Sequence, residues 1–217
     1  MTSTTQRASK GTTRFWDRIA QKYARSPISD EASYREKLSR TQALLNADSR
    51  VLEIACGTGT TALHHAEFAG HILATDISGP MIEIAQAKAV AQGVANVTFQ
   101  RMGIDDLTLE EGSLDMVMAH SILHLLEAPE VAIARAFRWL KPGGVFVSST
   151  ICLRDALPIF RAIAPVMHGL RIFPYVTSLR SEELKALMTG AGFELETVWQ
   201  PSRKKALFIV ARKPVIA

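Results

Sequence analysis

The sequence predicts an α/β fold in which a seven-stranded, mostly parallel sheet forms the middle of three layers. Three observations lead to this prediction. Between residues 51 and 149, short apolar runs of strand length alternate with stretches of helical length, which is typical of a parallel sheet with helices on both faces. Two strand-like runs close the chain, and two helical stretches precede the first strand. We therefore expect a parallel body, an antiparallel last strand and an N-terminal helical cap.

The predicted strands are short and apolar, and glycine or polar residues separate them from the helices. They cover residues 51–55, 71–75, 97–101, 114–119, 144–149, 193–199 and 206–212. Helices are predicted over residues 60–68, 79–92, 130–140 and 181–188. The last two strands follow each other with no helix between them, so they must pair antiparallel.

The N-terminal part of the chain divides into a tail and a cap. Residues 1–12 are predicted as a flexible tail, and residues 13–217 as a single domain that opens with a helical cap over 13–46. Apolar and aromatic residues recur at helical spacing in this cap: Phe15, Trp16, Ile19, Ala20 and Tyr23. Pro27 interrupts the first helix, and a second is expected over about residues 30–45.

The composition excludes several classes of protein. The 217 residues are 47% hydrophobic and 21% charged, which suits one globular α/β domain. No apolar run approaches the ~20 residues that cross a bilayer, and the first residues lack the apolar stretch of a secretory signal. Cys56 and Cys152 are the two cysteines, so a reducing, cytoplasmic location is expected. The net charge of +4 comes from scattered residues, so a nucleic-acid partner is a minority hypothesis.

A glycine loop and a carboxylate mark a candidate nucleotide site. Gly57 and Gly59 lie between the first predicted strand and its helix, where glycine lets a ligand approach the backbone and the helix N-terminus offers free N–H groups. Asp76 ends the next strand, a position suited to accepting both hydroxyls of a ribose. The same residues fit a relaxed dinucleotide pattern, so an NAD(P)-dependent oxidoreductase competes with any other nucleotide-binding enzyme.

Three features separate these alternatives. Glu53 lies inside the first strand, where a plain dinucleotide fold usually has an apolar residue. The run Lys141-Pro142-Gly143-Gly144 suits a type II turn, in which the second central residue needs a positive φ. The third feature is the antiparallel pair of predicted C-terminal strands. Together these motifs resemble the class I S-adenosylmethionine-dependent methyltransferases, specifically the type 11, ubiquinone/menaquinone-methyltransferase-like small-molecule group. The resemblance covers about residues 15–212 and is strongest over 51–59, 74–78 and 140–144.

The resemblance implies a Rossmann-like fold and a cofactor site for S-adenosylmethionine, with S-adenosylhomocysteine as the product. The loop residues implied to hold the methionine part are Glu53, Ala55, Cys56, Gly57, Thr58 and Gly59, with Ala55 in place of the first glycine of the family. Asp76 would bind the ribose. The residues implied at the adenine are Ile77, Met81, Gly103, Ile104 and Asp105. Tyr23 of the N-terminal helix would cap the methionine end.

Two histidines follow the fourth predicted strand. His120 occupies the strand end that, in the family, contacts the methionine part and opens to the substrate, and imidazole titrates near neutral pH. His120 is therefore the candidate general base. His120 and His124 at positions i and i+4 would share a helix face and could bind a metal. Because no third ligand has supporting spacing, we predict no metal site.

The acceptor is expected to be a small molecule that receives the methyl group on oxygen, nitrogen or an activated carbon. Residues 151–180 occupy the place of the variable substrate cap in the family. Its candidate lining residues are Met167, His168, Arg171, Phe173 and Tyr175. The alternatives are the NAD(P)-dependent oxidoreductase, a nucleic-acid methyltransferase and a non-catalytic S-adenosylmethionine-binding protein. The second of these lacks support, since the strand end at His120 has no Asn/Asp-Pro-Pro-Tyr/Phe run.

Overall fold

A computed structural model of the chain describes residues 3–156 and 176–215, the first eight of them by backbone alone. The five residues predicted to line a substrate cap, from Met167 to Tyr175, lie outside this part of the chain. The predicted cap over 151–180 is therefore described only at its two ends.

One seven-stranded sheet organises the molecule, in the order β3-β2-β1-β4-β5-β7-β6. The strands are β1 (Arg50–Ile54), β2 (His71–Asp76), β3 (Val97–Arg101), β4 (Leu114–His120), β5 (Leu140–Thr150), β6 (Glu194–Trp199) and β7 (Leu207–Arg212). Strands β1 to β5 pair in parallel, and β7 lies antiparallel between β5 and β6. The predicted Rossmann-like sheet with an antiparallel last strand is confirmed.

The helices fill the connections between the strands. They are α1 (Ser3–Arg25), α2 (Glu31–Gln42), α3 (Thr60–His65), α4 (Gly79–Gln92), α5 (Pro129–Trp139), α6 (Leu153–Ala156) and α7 (Ser181–Gly190). Short 3₁₀ helices follow α3, β3 and β4. The N-terminal boundary differs from the prediction, because α1 already includes residues 3–12, which were expected to form a flexible tail. The helix spans Gly11, a residue that by itself disfavours helix.

Local sequence signals fix the ends of several helices. Asp30 caps α2 by accepting a hydrogen bond from the backbone N–H of Ser33 at 3.2 Å, and Ser78 caps α4 in the same way through Met81. Gly93 ends α4 with a φ of +67°. These caps place the start of α4 directly after the end of β2.

The sheet is buried on both faces. Successive residues of a strand point to opposite sides, so Val51 and Met118 join one apolar core while Leu52 and Val117 join the other. The first core also contains residues of α3 and α4, and the second contains residues of α5 and α7. Burying each such side chain stabilises the fold by about 1.5–3 kcal/mol. Both layers of helices are therefore held by apolar packing.

The predicted turn at Pro142 and Gly143 lies inside β5 instead of before it. Gly143 has the expected positive φ of +81°. Its N–H donates to the carbonyl of Lys213 at 2.8 Å, and the N–H of Lys213 donates to the carbonyl of Gly144 at 2.9 Å. The residues that follow β7 thus pair with this turn, and β5 begins at Leu140.

The strand order places a candidate site at one edge of the sheet. The chain runs outward from β1 to β2 and β3 on one side, and from β4 to β5 on the other. Helices that follow β1 and β4 therefore leave in opposite directions, which opens a crevice at the carboxyl ends of these two strands.

Candidate active site

A cavity lies at this crevice, between the carboxyl ends of the strands and the N-terminal helix α1. Its lining residues are Thr12, Trp16, Tyr23, Ile54, Ala55, Gly57, Asp76, Ile77, Met81, Met102, Ile104, His120, Ser121, Ile122, Leu125 and Leu126. Eight of the predicted cofactor residues are in this set. Glu53, Cys56, Thr58, Gly59, Gly103 and Asp105 do not line the cavity.

Gly57 and Gly59 of the loop have different structural roles. Both adopt a positive φ, +55° at Gly57 and +74° at Gly59. A Cβ on Gly57 would meet only the ring of Tyr23, at 3.7 Å, across the cavity. A Cβ on Gly59 would lie 2.6 Å from Phe99 and 2.7 Å from Ala85. Gly57 therefore leaves room beside the cavity, whereas Gly59 lets the loop pack on the core.

Ala55 lines the cavity in a backbone conformation that glycine would adopt more easily. Its φ is +55°, and the left-handed region costs a residue with a Cβ about 1–2 kcal/mol. This position is the one where the sequence departs from the glycine of the family. The side chains of Cys56 and Thr58 are buried. The Lys88 ammonium donates a hydrogen bond to the Thr58 carbonyl at 3.1 Å. This contact holds the loop on the side away from the cavity.

Asp76 is the polar centre of the cavity. Its Oδ2 accepts a hydrogen bond from the N–H of Gly57 and its Oδ1 one from the N–H of Ser78, both at 2.9 Å. Burial raises the pKa of this carboxyl, and the two backbone N–H groups act against that rise. A carboxylate offers about four acceptor positions. Two therefore remain for the hydroxyls of a ribose.

Glu53 lies behind the loop and not in the cavity. The side chain is 2% exposed and accepts a hydrogen bond from the backbone N–H of Ala62, in the first turn of α3. Burial, followed by the charge of Asp76, raises the pKa of Glu53 to about 8. Its Oε2 has no hydrogen-bond partner among the described residues. Glu53 thus positions the helix that follows the loop, and its cofactor contact stays a prediction.

Apolar side chains form a slot next to Asp76. Ile77 and Met81 follow Asp76 at the start of α4, and Met102 and Ile104 follow β3. Met81 is 2% exposed, so it serves the core as well as the slot. The sequence predicted Ile77, Met81 and Ile104 here but missed Met102, which directly follows the end of β3. The slot has the apolar character that a purine base requires.

Helix α1 covers the cavity. Asp17 of α1 accepts a hydrogen bond from the Ser78 hydroxyl at 2.6 Å, which ties the helix to the start of α4. Trp16 and Tyr23 contact each other edge to face, with ring centroids 6.3 Å apart. Tyr23 is 50% exposed, and its pKa is raised by burial and by the charges of Asp76 and Glu53. Thr12, which the sequence assigned to the tail, also lines the cavity.

The wall of the cavity at the end of β4 is built from His120 and Ser121. Ser121 adopts a left-handed φ of +56°, and its N–H donates to the carbonyl of Ser149 at 2.7 Å. The His120 Nε2 is buried and has no partner among the described residues. Burial, with the nearby imidazole of His65 and the charge of Lys37, lowers the pKa of His120 to about 3. The predicted titration near neutral pH is therefore wrong for the free protein, in which His120 is a neutral imidazole.

His120 and His124 do not share a helix face, contrary to the prediction. His120 ends β4, and His124 lies in the short 3₁₀ helix that begins at Leu123. Burial lowers the pKa of His124 to about 4. Over residues 3–156 and 176–215, no group of three His, Cys, Asp or Glu side chains is placed to hold a metal ion.

Comparison with known proteins gives the cavity a context. Residues 51–144 match the family described as a methyltransferase domain. A ubiquinone biosynthesis O-methyltransferase of Xanthomonas euvesicatoria is 28% identical over 170 residues, which cover 74% of this chain and 70% of that protein. An uncharacterized protein of Haemophilus influenzae is 37% identical over 152 residues, which cover 67% of this chain and 59% of that protein.

A solved structure shares the fold. The S-adenosylmethionine dependent methyltransferase from Mesorhizobium loti superposes with a TM-score of 0.68 at 20% identity, over 84% of this chain and 99% of that one. The family match runs from β1 into the start of β5, so it includes the glycine loop, Asp76 and His120. In the described parts of the chain, no helix is long and apolar enough to cross a membrane.

Proposed function

We propose that this chain, a class I S-adenosylmethionine-dependent methyltransferase, methylates a hydroxyl group of a small molecule that enters beside His120. One observation supports the proposal most directly. Asp76, a carboxylate suited to a ribose, and the neutral imidazole of His120 line the same cavity, at the carboxyl ends of β2 and β4, the strands on either side of β1. The oxygen acceptor is supported by the curated relatives, whose names describe O-methyltransferases.

The lining residues fit S-adenosylmethionine. Asp76 has two acceptor positions free for the ribose hydroxyls, and Ile77 and Ile104 border an apolar slot that suits the adenine. Gly57 has no Cβ, so the methionine part can lie against the loop backbone. The ring of Tyr23 lies across from Gly57, and an aromatic face attracts a cation such as a sulfonium.

The protein contributes alignment and the exclusion of water. S-adenosylmethionine, when bound, supplies a methyl group on a positively charged sulfur that leaves as a neutral thioether. Methyl transfer therefore depends mainly on holding the acceptor oxygen in line, for which effective molarities can be very large. Helix α1 shields the cavity from solvent, and Ser121 fixes the end of β4 to β5.

We infer that His120 orients the acceptor hydroxyl. Its neutral imidazole has a buried Nε2 without a partner, and this nitrogen can accept the hydroxyl hydrogen in a hydrogen bond. The low pKa of His120 makes it a weak base in the free protein, so its first contribution is orientation. As the new bond to carbon forms and the bond from carbon to sulfur breaks, the positive charge moves to the acceptor oxygen, whose proton becomes acidic enough to pass along this hydrogen bond to Nε2 of His120.

Two further expectations remain part of the proposal. We propose that residues 13–217 act as one methyltransferase domain, with 13–46 as the helical cap and 151–180 as the substrate cap. We also propose a cytoplasmic location, which the two free, buried cysteines support.

The test is turnover with S-adenosylmethionine carrying a deuterated methyl group. The purified chain is incubated with a panel of phenols and alcohols and matched amines, and mass spectrometry follows S-adenosylhomocysteine and the labelled product. We expect label on oxygen. Label on nitrogen or carbon would contradict the acceptor proposal. Binding of S-adenosylhomocysteine without turnover of any acceptor would favour a non-catalytic cofactor-binding protein.

A further inference from the structure

Lys37 is a half-buried cation without an acidic partner. It lies on α2, and its Nζ donates a hydrogen bond to the Ser149 hydroxyl at 2.9 Å. No described carboxylate lies within 4.0 Å of this nitrogen. Burial lowers the pKa of Lys37. Burying a cation away from water without an anionic partner destabilises the fold. The burial of Lys37 therefore needs an explanation.

The residues without described side chains add no aspartate or glutamate that could fill this gap. The residues whose side chains are not described are 1–10, 157–175 and 216–217, and none of them is an aspartate or glutamate. The acidic group that acts on Lys37 from a distance is Asp30. Asp30 is already paired with Lys205 at 2.9 Å.

The surroundings of Lys37 are polar but carry no negative charge to match it. Ser149 is 4% exposed and is the strand partner of His120 in the β4–β5 register. His65 of α3 is fully buried, and neither of its ring nitrogens has a partner among the described residues. Burial lowers the pKa of His65 to about 4. The cluster of Lys37, His65, His120 and Ser149 therefore contains one cation and three neutral hydrogen-bonding side chains.

This cluster adjoins the cavity. His120 and Ser121 line the cavity wall, His120 is paired in register with Ser149, and Ser149 accepts the hydrogen bond from Lys37. A molecule that places a hydroxyl at His120 would lie one strand away from Ser149, although Ser149 and Lys37 themselves do not line the cavity. Ammonium and hydroxyl donors side by side, with no acidic residue in contact, are a setting that favours an anionic oxygen.

We propose that Lys37 and Ser149 bind an anionic group, a carboxylate or a phosphate, carried by the methyl acceptor. The inference rests on the proposed function, since it assigns the acceptor to the cavity wall at His120. It defines the substrate class as a small hydroxylated molecule with a negative charge beyond the reacting oxygen.

The test measures binding of defined probes to the full chain saturated with S-adenosylhomocysteine. The anionic probes are benzoate and phenyl phosphate, which separate the two sources of anionic oxygen, and the neutral counterpart is benzamide. We expect at least one anion to bind about tenfold or more tightly than benzamide. Lys37→Met should abolish this preference and Lys37→Arg should keep most of it. Lys141→Met removes a lysine that is paired with Asp115 at the opposite end of β5 from Ser149, and is the matched control, for which no change is expected.

A second readout separates binding from a structural role. If the charge is retained for a ligand, Lys37→Met should raise the melting temperature of the ligand-free protein by about 2–4 °C, because it removes a desolvated cation. A lower melting temperature would indicate that Lys37 stabilises the fold and would contradict the proposal. So would equal affinity of wild type for benzoate, phenyl phosphate and benzamide. Failure of S-adenosylhomocysteine to bind would instead contradict the proposed function.

Discussion

The two ends of the cavity differ in how their polar groups are satisfied. At the cofactor end, defined by Gly57, Asp76 and Ser78, each carboxylate oxygen of Asp76 accepts a backbone N–H, and the Ser78 hydroxyl donates to Asp17. The acceptor end is marked by His120 and by Lys37, His65 and Ser149, which adjoin the cavity without lining it. There, the buried ring nitrogens of His65 and the Nε2 of His120 have no partners among the described residues.

We interpret this difference as a division of the cavity between cofactor binding and acceptor binding. The cofactor end is pre-organised, because its groups are held by backbone and caps before any ligand arrives, which lowers the cost of binding. At the acceptor end the buried polar groups are unsatisfied, and each costs about 1–3 kcal/mol of stability. Such a cost is reasonable where a ligand completes the hydrogen bonds.

The largest expected effect is a loss of stability on substitution of Gly59, the glycine at which the loop packs on the core. Gly59→Ala should destabilise the protein by about 3–4 kcal/mol, because the added Cβ strikes Phe99 and Ala85 and the positive φ adds strain. Gly57→Ala is the matched control, with a loss of about 1 kcal/mol. Urea unfolding measures both, and equal losses would contradict the separate tasks assigned to the two glycines.

The second-largest expected effect is on cofactor affinity, which should respond differently to substitutions at the two ends of the cavity. Asp76→Asn should weaken S-adenosylhomocysteine binding about 100-fold, or ~2.7 kcal/mol, since hydrogen bonds to a charged acceptor are lost. His120→Asn, at the acceptor end, should change this affinity less than about threefold while slowing methyl transfer about 100-fold. Calorimetry and turnover assays report the two quantities. A larger loss of affinity in His120→Asn than in Asp76→Asn would reverse the assignment of the ends.

A pH-dependent effect is expected at Glu53, which lies between the ends. Its folded pKa of about 8 is raised from 4.5, so the protonated form is favoured by the fold and the stabilisation is lost as pH rises toward 8. Glu53→Gln mimics that form. Its free energy of unfolding relative to wild type should therefore increase by about 2 kcal/mol between pH 6 and pH 8.

Wild type and the Glu53→Gln variant contain the same buried histidines. Their contributions to the pH dependence of the free energy of unfolding therefore cancel in the comparison. Denaturant unfolding at the two pH values gives the difference directly. A Glu53→Gln variant whose relative stability does not change with pH would show that Glu53 is ionised in the fold.

The smallest effect concerns Ala55. Ala55→Gly should stabilise the protein by about 0.5 kcal/mol, because relief of the left-handed strain exceeds the extra chain entropy of glycine. Affinity for S-adenosylhomocysteine should stay within twofold. A clear loss of stability in chemical denaturation would mean that the Ala55 methyl group makes contacts that outweigh its strain.

The sequence predicted the sheet well because strand–helix alternation and turn residues are local signals. Gly57, Asp76 and Ile77 were also found locally, at the ends of apolar strands. The helix over residues 3–12 was missed, since its polar, threonine-rich sequence resembles a tail. For Glu53, the sequence gives the strand position but not the hydrogen bond that its carboxylate accepts from the N–H of Ala62.

The acceptor end was the least predictable region. Lys37 and Ser149 are 112 positions apart in sequence, and only the packing of α2 on the end of β5 brings them together. The low pKa of His120 likewise depends on burial that the sequence does not show. Long-range contacts of this kind have no local signature, whereas the cofactor loop does.

The most direct test of the account is a calorimetric titration of the wild-type chain with S-adenosylhomocysteine, compared with NAD⁺ and NADP⁺ under the same conditions. The pre-organised cofactor end predicts one S-adenosylhomocysteine per chain, weakened about 100-fold by Asp76→Asn, and no saturable binding of either dinucleotide. Saturable binding of a dinucleotide, with none of S-adenosylhomocysteine, would contradict the assignment of the cavity.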